Sequence, residues 1–366
     1  MQHPSVLICA GEASGDLHGA NLVKEMKRLL PSVYFFGIGG KEMKDNGVEE
    51  IADLTDKAYV GFVEGFVPYL SIARVFFRIV KVAKMRKPTA AILIDFPEFN
   101  MRLAKRLHRL SVPVIYYIVP QVWAWRKHRV GILRDYVDLA IPVLPLEEPF
   151  LRRYGVNAHF LGHPLRDSIV VTERESALKG KRPLIALLPG SRKREIDKLM
   201  PPMNRAAQII RRYVDCDFAI AKAKSVSYEL IRRYSDLPIV EGVYELYRDA
   251  DAALISSGTA TLEATLNLLP FVSVYRVSPL TYHLLRMLIN VRTYSLTNII
   301  AGKPVVKELL QWRATPERMA TAVIQLLDSE KRRSTIEEMK NVVRKIGPPG
   351  AVRRIATTIC EFLRRL

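Results

Sequence analysis

The residues of this chain that can do chemistry gather in short turns following apolar runs. In ILIDFPEFN (92–100), Asp95 closes an apolar run with Phe96 and Phe99 beside it. Aromatic neighbours withhold water from a carboxylate and raise its basicity, which suits a general base acting on an alcohol. Capping a helix that begins near Glu98 is the plain structural alternative. In LLPGSRKREI (187–196), Pro189 and Gly190 turn the chain and Ser191 and Arg192 open a basic helix. Free N–H groups and the positive end of the helix dipole attract phosphate there, and a guanidinium can grip its oxygens in pairs. SSGTATLEA (256–264) repeats the device. Ser257, Gly258 and Thr259 offer donors to a phosphate, and Glu263, four residues beyond Thr259 on the same helix face, can accept from ribose hydroxyls.

AGEASGD (10–16) holds two glycines but not the spacing of a dinucleotide loop, and Glu12 and Asp16 would repel a pyrophosphate. The turn suits sugar hydroxyls better. Glu12 is its catalytic carboxylate, Ser14 and Asp16 are its contacts, and Gly15 lets the backbone come close. A turn with Asp16 capping a helix near His18 is the alternative, and it leaves Glu12 unexplained. In PQVWAW (120–125), Trp123 reads as packing and Trp125 as a candidate platform for a sugar face. Asn298, in SLTNIIAGKPVVKELLQ (295–311), either bridges substrate groups or closes a turn. His18, His128 and His163 are isolated, and Cys9, Cys216 and Cys360 show no ligand spacing. Neither a structural zinc nor another metal site is expected, and three scattered cysteines suit a reducing compartment.

Such turns need a scaffold that ends strands where helices begin. Apolar runs at 5–10, 34–39, 90–96, 112–120, 138–144 and 158–162 alternate with helical patterns, the mark of parallel βαβ units. The polar stretch 167–182 reads as a linker, and a second set of runs follows at 184–190, 217–223, 238–242, 252–257 and 270–276. The expected architecture is α/β, with two doubly wound domains (1–166 and 183–350) facing a cleft. After the breaker GPPG (347–350), a terminal helix at 351–366 crosses back to the first domain. Ligands of such sheets bind outside the carboxyl ends of their strands, where all four turns lie.

Lysines and arginines number 56 against 37 acids, a net charge of +19. An anionic partner is implied, and the absence of any RNA-binding signature argues against nucleic acid. On the pattern 69–86, Arg74, Arg78, Lys81 and Lys84 share one face among apolar residues that include Phe76 and Phe77. Such a helix either lies on an anionic membrane or packs as an ordinary layer helix. The N-terminus lacks a basic region before its short apolar run, and no apolar run reaches bilayer length. The expected location is the cytoplasm or a membrane surface.

AGEASGD, DFPEFN, PQVWAW, LPGSRKREI, SGTATLE and NIIAGKPVVKELLQ occur in one order over nearly the whole chain. With these motifs the sequence resembles the bacterial lipid-A-disaccharide synthases, the family 19 glycosyltransferases. The resemblance implies two Rossmann-like domains of GT-B type. It also implies inverting transfer of 2,3-diacylglucosamine from UDP to the 6-hydroxyl of 2,3-diacylglucosamine 1-phosphate, lipid X, in lipid A and lipopolysaccharide biosynthesis. No metal or other cofactor, peripheral attachment to the cytoplasmic face of the inner membrane, and a homodimer in some members come with it. By position, Asp95 matches the general base, Arg192 the essential arginine of the nucleotide side and Asn298 a functional asparagine. One departure stands in YVGFVEGF (59–66), where Val60 replaces a common methionine. A UDP-N-acetylglucosamine 2-epimerase would share the two-domain plan, and a basic, nucleotide-regulated protein binding RNA or membranes is the non-enzymatic alternative.

Overall fold

The computed structural model describes residues 4–55, 66–124, 127–169, 182–278 and 293–366. Trp125 and Val60 lie outside them. The chain divides into two compact units, Met1–Asp167 with Gly347–Leu366, and Ser168–Ile346.

The first unit runs β1 (Ser5–Ala10), α1 (Ala13–Leu29), β2 (Tyr34–Ile38), α2 (Lys41–Asp45), β3 (Val48–Ala52), α3 (Phe66–Arg86), β4 (Ala90–Ile94), α4 (Pro97–His108), β5 (Val114–Tyr117), α5 (Val130–Tyr136), β6 (Leu139–Ile141), α6 (Glu147–Arg153) and α7 (Leu165–Ser168). The second runs β7 (Leu184–Leu188), α8 (Lys193–Ile210), β8 (Asp217–Lys222), α9 (Tyr228–Arg232), β9 (Ile239–Glu241), α10 (Tyr244–Asp249), β10 (Ala252–Ser256), α11 (Thr259–Leu266), β11 (Phe271–Tyr275), α12 (Leu296–Ala301), β12 (Lys307–Leu310), α13 (Pro316–Leu327) and α14 (Ser329–Lys345). The terminal helix α15 (Ala351–Leu363) belongs to the first unit.

Each unit is built on a parallel six-stranded sheet, in the orders β3-β2-β1-β4-β5-β6 and β12-β11-β10-β7-β8-β9. Counted within its own unit, each has the doubly wound order 3-2-1-4-5-6, which reverses direction between the first and fourth strands. Those switch points lie between β1 and β4 and between β7 and β10. Register places the turns: Ala10 pairs with Ile94, so Gly11 and Asp95 leave the first sheet side by side. Leu188 pairs with Ile255, which brings the turns at 189–192 and 257–259 out together.

The central strands form because their apolar residues are covered on both faces. Leu7, Cys9, Leu93 and Tyr116 face a layer with α3 and α4, while Ile8, Ala10, Ile94 and Tyr117 face α1 and α15. Helix α15 contributes Ile355, Ala356, Ile359 and Leu363 to that second layer. The N-terminus of α15 is capped from far away in sequence, as the Asp167 carboxylate accepts the N–H groups of Gly350, Ala351 and Val352 at 2.6, 3.0 and 2.8 Å. Asp167, expected in a linker, is therefore a fixed part of the first unit. The expected strand at 158–162 is only a bridge from Ala158 to Ala140. Two strands absent from the expectation, β3 (VEEIA) and β12 (KELL), occupy sheet edges, where charged residues are tolerated. All three cysteines are free and buried. Among the described residues no helix is long and apolar enough to cross a membrane.

Candidate active site

In the first unit the switch point is built around strained backbone. Asp95 and Phe96 both take left-handed conformations, φ 45° and 49°, which side chains larger than Asn or Asp resist. The strain is held by bonds from the sheet. Asp95 N–H donates to Tyr117 O at 3.1 Å, and Asp95 O accepts from Asn100 Nδ2 at 2.9 Å and from the Tyr116 hydroxyl at 2.8 Å. Phe96 stacks on Phe99 and lies over Gly11, where an added Cβ would meet its ring at 2.3 Å. The Asp95 carboxyl is largely out of water. Burial first, and the Glu12 carboxylate second, push it up to about 6. Helix α4 takes Phe96 as its N-cap without a side-chain cap bond, so capping does not account for Asp95.

A pocket of about 290 Å³ opens beside this carboxyl, lined by Asp95, Pro97, the run 118–122, Arg129, Val143 and Glu147. Arg129 is held by an ion pair to Glu98 at 2.8 Å. Glu147, 2 % exposed, accepts from Trp123 Nε1 and from Leu144 N–H, each at 3.0 Å. Burial pushes its carboxyl up to about 7 against these bonds. Sequence reasoning passed over Glu147, Arg129 and Glu98. The available signal was an acid directly after the apolar run of β6.

Residues of the first turn divide. Glu12 and Ser14 are exposed at the strand ends, and Gly15 brings α1 against β1, its ideal Cβ position 3.3 Å from Ala10 Cβ. Asp16 corrects the expectation. Helix α1 already begins at Ala13, and Asp16 is buried, accepting the N–H groups of Gly40, Glu42 and Met43 at 2.8, 2.9 and 3.1 Å. Its carboxylate caps α2. On α3, Arg74, Phe77, Arg78 and Lys81 are exposed, Phe77 by 66 %. Phe76 is not part of that face, for its ring packs edge-on against Phe99 at 5.4 Å.

In the second unit Gly190, at φ 115°, makes the turn that precedes α8. The amides expected to be free are not. Glu195 Oε2 accepts from Ser191 N–H at 3.0 Å and from Arg192 N–H at 3.3 Å, so an internal carboxylate takes the amides expected to hold a phosphate. The Arg192 side chain is 77 % exposed. Across the switch point Gly258 and Thr259 are exposed at the start of α11, where no side chain caps the helix. The Ser257 hydroxyl donates to Tyr294 O at 3.0 Å. Glu263 accepts from the Tyr247 hydroxyl at 2.9 Å, and burial raises its carboxyl. Asn298 also differs from expectation. Nδ2 donates to Val306 O and Glu308 Oε1, and Oδ1 accepts from Val305 and Val306 N–H. With both amide protons and both lone pairs engaged, it fastens the turn before β12 and has no group left for a ligand.

Comparison with known proteins adds an independent line. The family model described as lipid-A-disaccharide synthetase matches residues 6–355. A lipid-A-disaccharide synthase of Syntrophus aciditrophicus is 40% identical over 100% of this chain and 99% of its own length. One from Geobacter sulfurreducens is 41% identical over 98% and 97%. Among solved structures, a putative UDP-N-acetylglucosamine 2-epimerase from Listeria monocytogenes has a TM-score of 0.67 at 13% identity, covering 100% of this chain and 98% of that one. CalG4, the calicheamicin glycosyltransferase, has a TM-score of 0.62 at 15% identity, covering all of both chains. At these identities the structural likeness establishes the GT-B type of fold alone.

Proposed function

The chain belongs to the lipid-A-disaccharide synthase family, and from that premise we propose that Asp95 and Arg192 carry out its glycosyl transfer from opposite ends of the substrate. The donor is UDP-2,3-diacylglucosamine and the acceptor is lipid X. Asp95 takes the proton of the acceptor's 6-hydroxyl as that oxygen attacks the anomeric carbon, and UDP leaves from the opposite face, inverting the centre. The observation that carries this reading is the carboxyl at the β1/β4 switch point, held by strained backbone and poised at about 6. A base of that strength is ionised at neutral pH yet strong enough to assist a developing alkoxide.

Negative charge grows on the pyrophosphate as the bond breaks. Arg192 meets it, together with the N–H groups at the starts of α8 and α11, and Glu195 must swing off the Ser191 and Arg192 amides for the phosphate to enter. Donors fixed before the reaction stabilise such charge without reorganising. The nucleotide belongs to the strand-end site of the second unit and the acceptor to that of the first. Acyl chains and lipid phosphates meet α3, whose exposed face sets Phe77 among Arg74, Arg78 and Lys81; an apolar side chain flanked by cations suits an anionic bilayer surface. On this reading the protein attaches peripherally to the cytoplasmic face of the inner membrane.

The test is incubation of purified protein with UDP-2,3-diacylglucosamine and lipid X, following UDP and the β-1,6-linked disaccharide 1-phosphate, beside Asp95→Ala. Disaccharide from the wild type and none from the variant is the expected result. Turnover of unacylated UDP-N-acetylglucosamine without an acceptor would overturn it in favour of epimerase chemistry.

A further inference from the structure

Outside the reacting carboxyl, the pocket beside Asp95 has a wall that needs explaining. It leaves β5 at Ile118, which is held at φ 59°, a left-handed conformation that a β-branched residue adopts only under constraint. Within the next residues the chain turns tightly, with Val122 N–H donating to Pro120 O at 2.6 Å and Ala124 N–H to Gln121 O at 3.1 Å. Backbone strain of this kind persists only where the surroundings over-determine it, and it gathers at functional sites.

What over-determines this wall comes from another element. Glu147, at the first position of α6, reaches Trp123 with one carboxylate oxygen and Leu144 with the other. One buried side chain thereby ties the run 118–124 to the segment that follows β6. The space, about 290 Å³, lies at the lower end of small-molecule sites, with room for one sugar ring.

We propose that this pocket seats the sugar ring of the acceptor, and that Glu147, through Trp123, is the positioning residue that holds its wall in place. The proposal rests on the glycosyl-transfer reading above. Glu147 itself takes no part in bond making. It fixes the distance between the wall and Asp95, so that a hydroxyl bound against 118–122 arrives at the carboxyl.

The experiment compares Trp123→Phe, which removes the N–H together with the five-membered part of the indole, with Glu147→Gln and the double variant, whose coupling separates the lost bond from lost packing. Each is checked for a wild-type unfolding profile, and Trp123→Phe carries the test if Glu147→Gln does not fold. A lost bond to a buried charged group is expected to raise the KM for lipid X about tenfold. The KM for the UDP-sugar and the affinity for UDP should be unchanged, since both belong to the second unit. In the double variant the KM should stay near that of the worse single variant, because both act through one bond. A lipid X KM within about twofold of wild type in folded Trp123→Phe, or both KM values rising together, would overturn the assignment. Direct titration with lipid X reads the same loss without turnover. A wild type that binds lipid X but makes no disaccharide would count against the transfer reading, whereas unchanged lipid X binding by the variants would count against the positioning role of Glu147.

Discussion

Replacing Asp95 by Asn should destroy activity and make the protein more stable, by an amount that depends on pH in a defined way. The folded site prefers the neutral carboxyl, having moved it from an ordinary 3.8 to about 6. At about 1.36 kcal/mol for each pH unit, ionising it in place costs about 3 kcal/mol. Because the folded-state value is raised, the wild type keeps its full stability below about pH 4 and loses this increment as pH rises through about 6. Asn carries no charge to desolvate. Its carbonyl can accept the Phe96 N–H that the carboxylate accepts now, and it tolerates the left-handed backbone at this position as well as Asp does. Urea unfolding should therefore show Asp95→Asn more stable than wild type by up to about 3 kcal/mol at pH 8, shrinking to about 0.5 kcal/mol at pH 4. Activity should fall by about 10²–10⁴, the usual worth of a positioned base. A variant no more stable than wild type at pH 8, or a gain independent of pH, would refute the claim that the site holds a desolvated, catalytically tuned carboxyl.

For the wild type, kcat/KM should fall on acidification with an apparent pKa near 6, as protonation removes the base; a limb near 4 in the pH–rate profile would assign the base elsewhere. Arg192→Ala should lower kcat by about 10²–10³ with no change in urea midpoint, because the side chain is 77 % exposed. Asp16→Asn should do the reverse. It exchanges a carboxylate holding three amides at the start of α2 for a group that turns a donor toward one of them, at a cost of about 1–3 kcal/mol, while the folded enzyme keeps its KM and kcat. Arg74→Glu with Arg78→Glu should abolish sedimentation with anionic vesicles and leave UDP binding intact, whereas vesicle binding equal to wild type would remove α3 from the membrane surface.

The parts of the fold that could be read from sequence are those whose identity is fixed by burial on two faces. LIALL and AAILI are covered on both sides of their sheets, and nothing but an interior strand accommodates them. VEEIA and KELL were missed for the complementary reason. At a sheet edge only part of each strand is buried, so the pairing that makes them strands comes from β2 and β11 and leaves no apolar run behind. The same division holds at the site. Asp95, Glu12 and Arg192 stood out because each closes a strand at a turn, a local property. Glu147, Asp167 and Glu195 did not, because a carboxylate that pins Trp123, caps α15 or takes the first amides before α8 is defined by its partner rather than by its neighbours in sequence.

Asp16 and Asn298 show where reading by residue type fails most sharply. Each is a short polar residue near a glycine, as Asp95 is a short polar residue at a strand end, and by type and setting all three are equal candidates for touching a substrate. What separates them is the use of their lone pairs. Asp16 gives its oxygens to three backbone amides, and Asn298 engages every donor and acceptor it has. In both cases backbone that would otherwise be buried without partners is satisfied, which is sufficient reason for the residue to be there. Asp95 lends its backbone to such bonds and keeps its carboxyl for the pocket. A buried carboxyl facing a cavity with few bonds to its oxygens costs stability, and the fold tolerates that cost where ionisation is put to use. Of the two acids, only Asp95 should yield a more stable protein when its charge is removed.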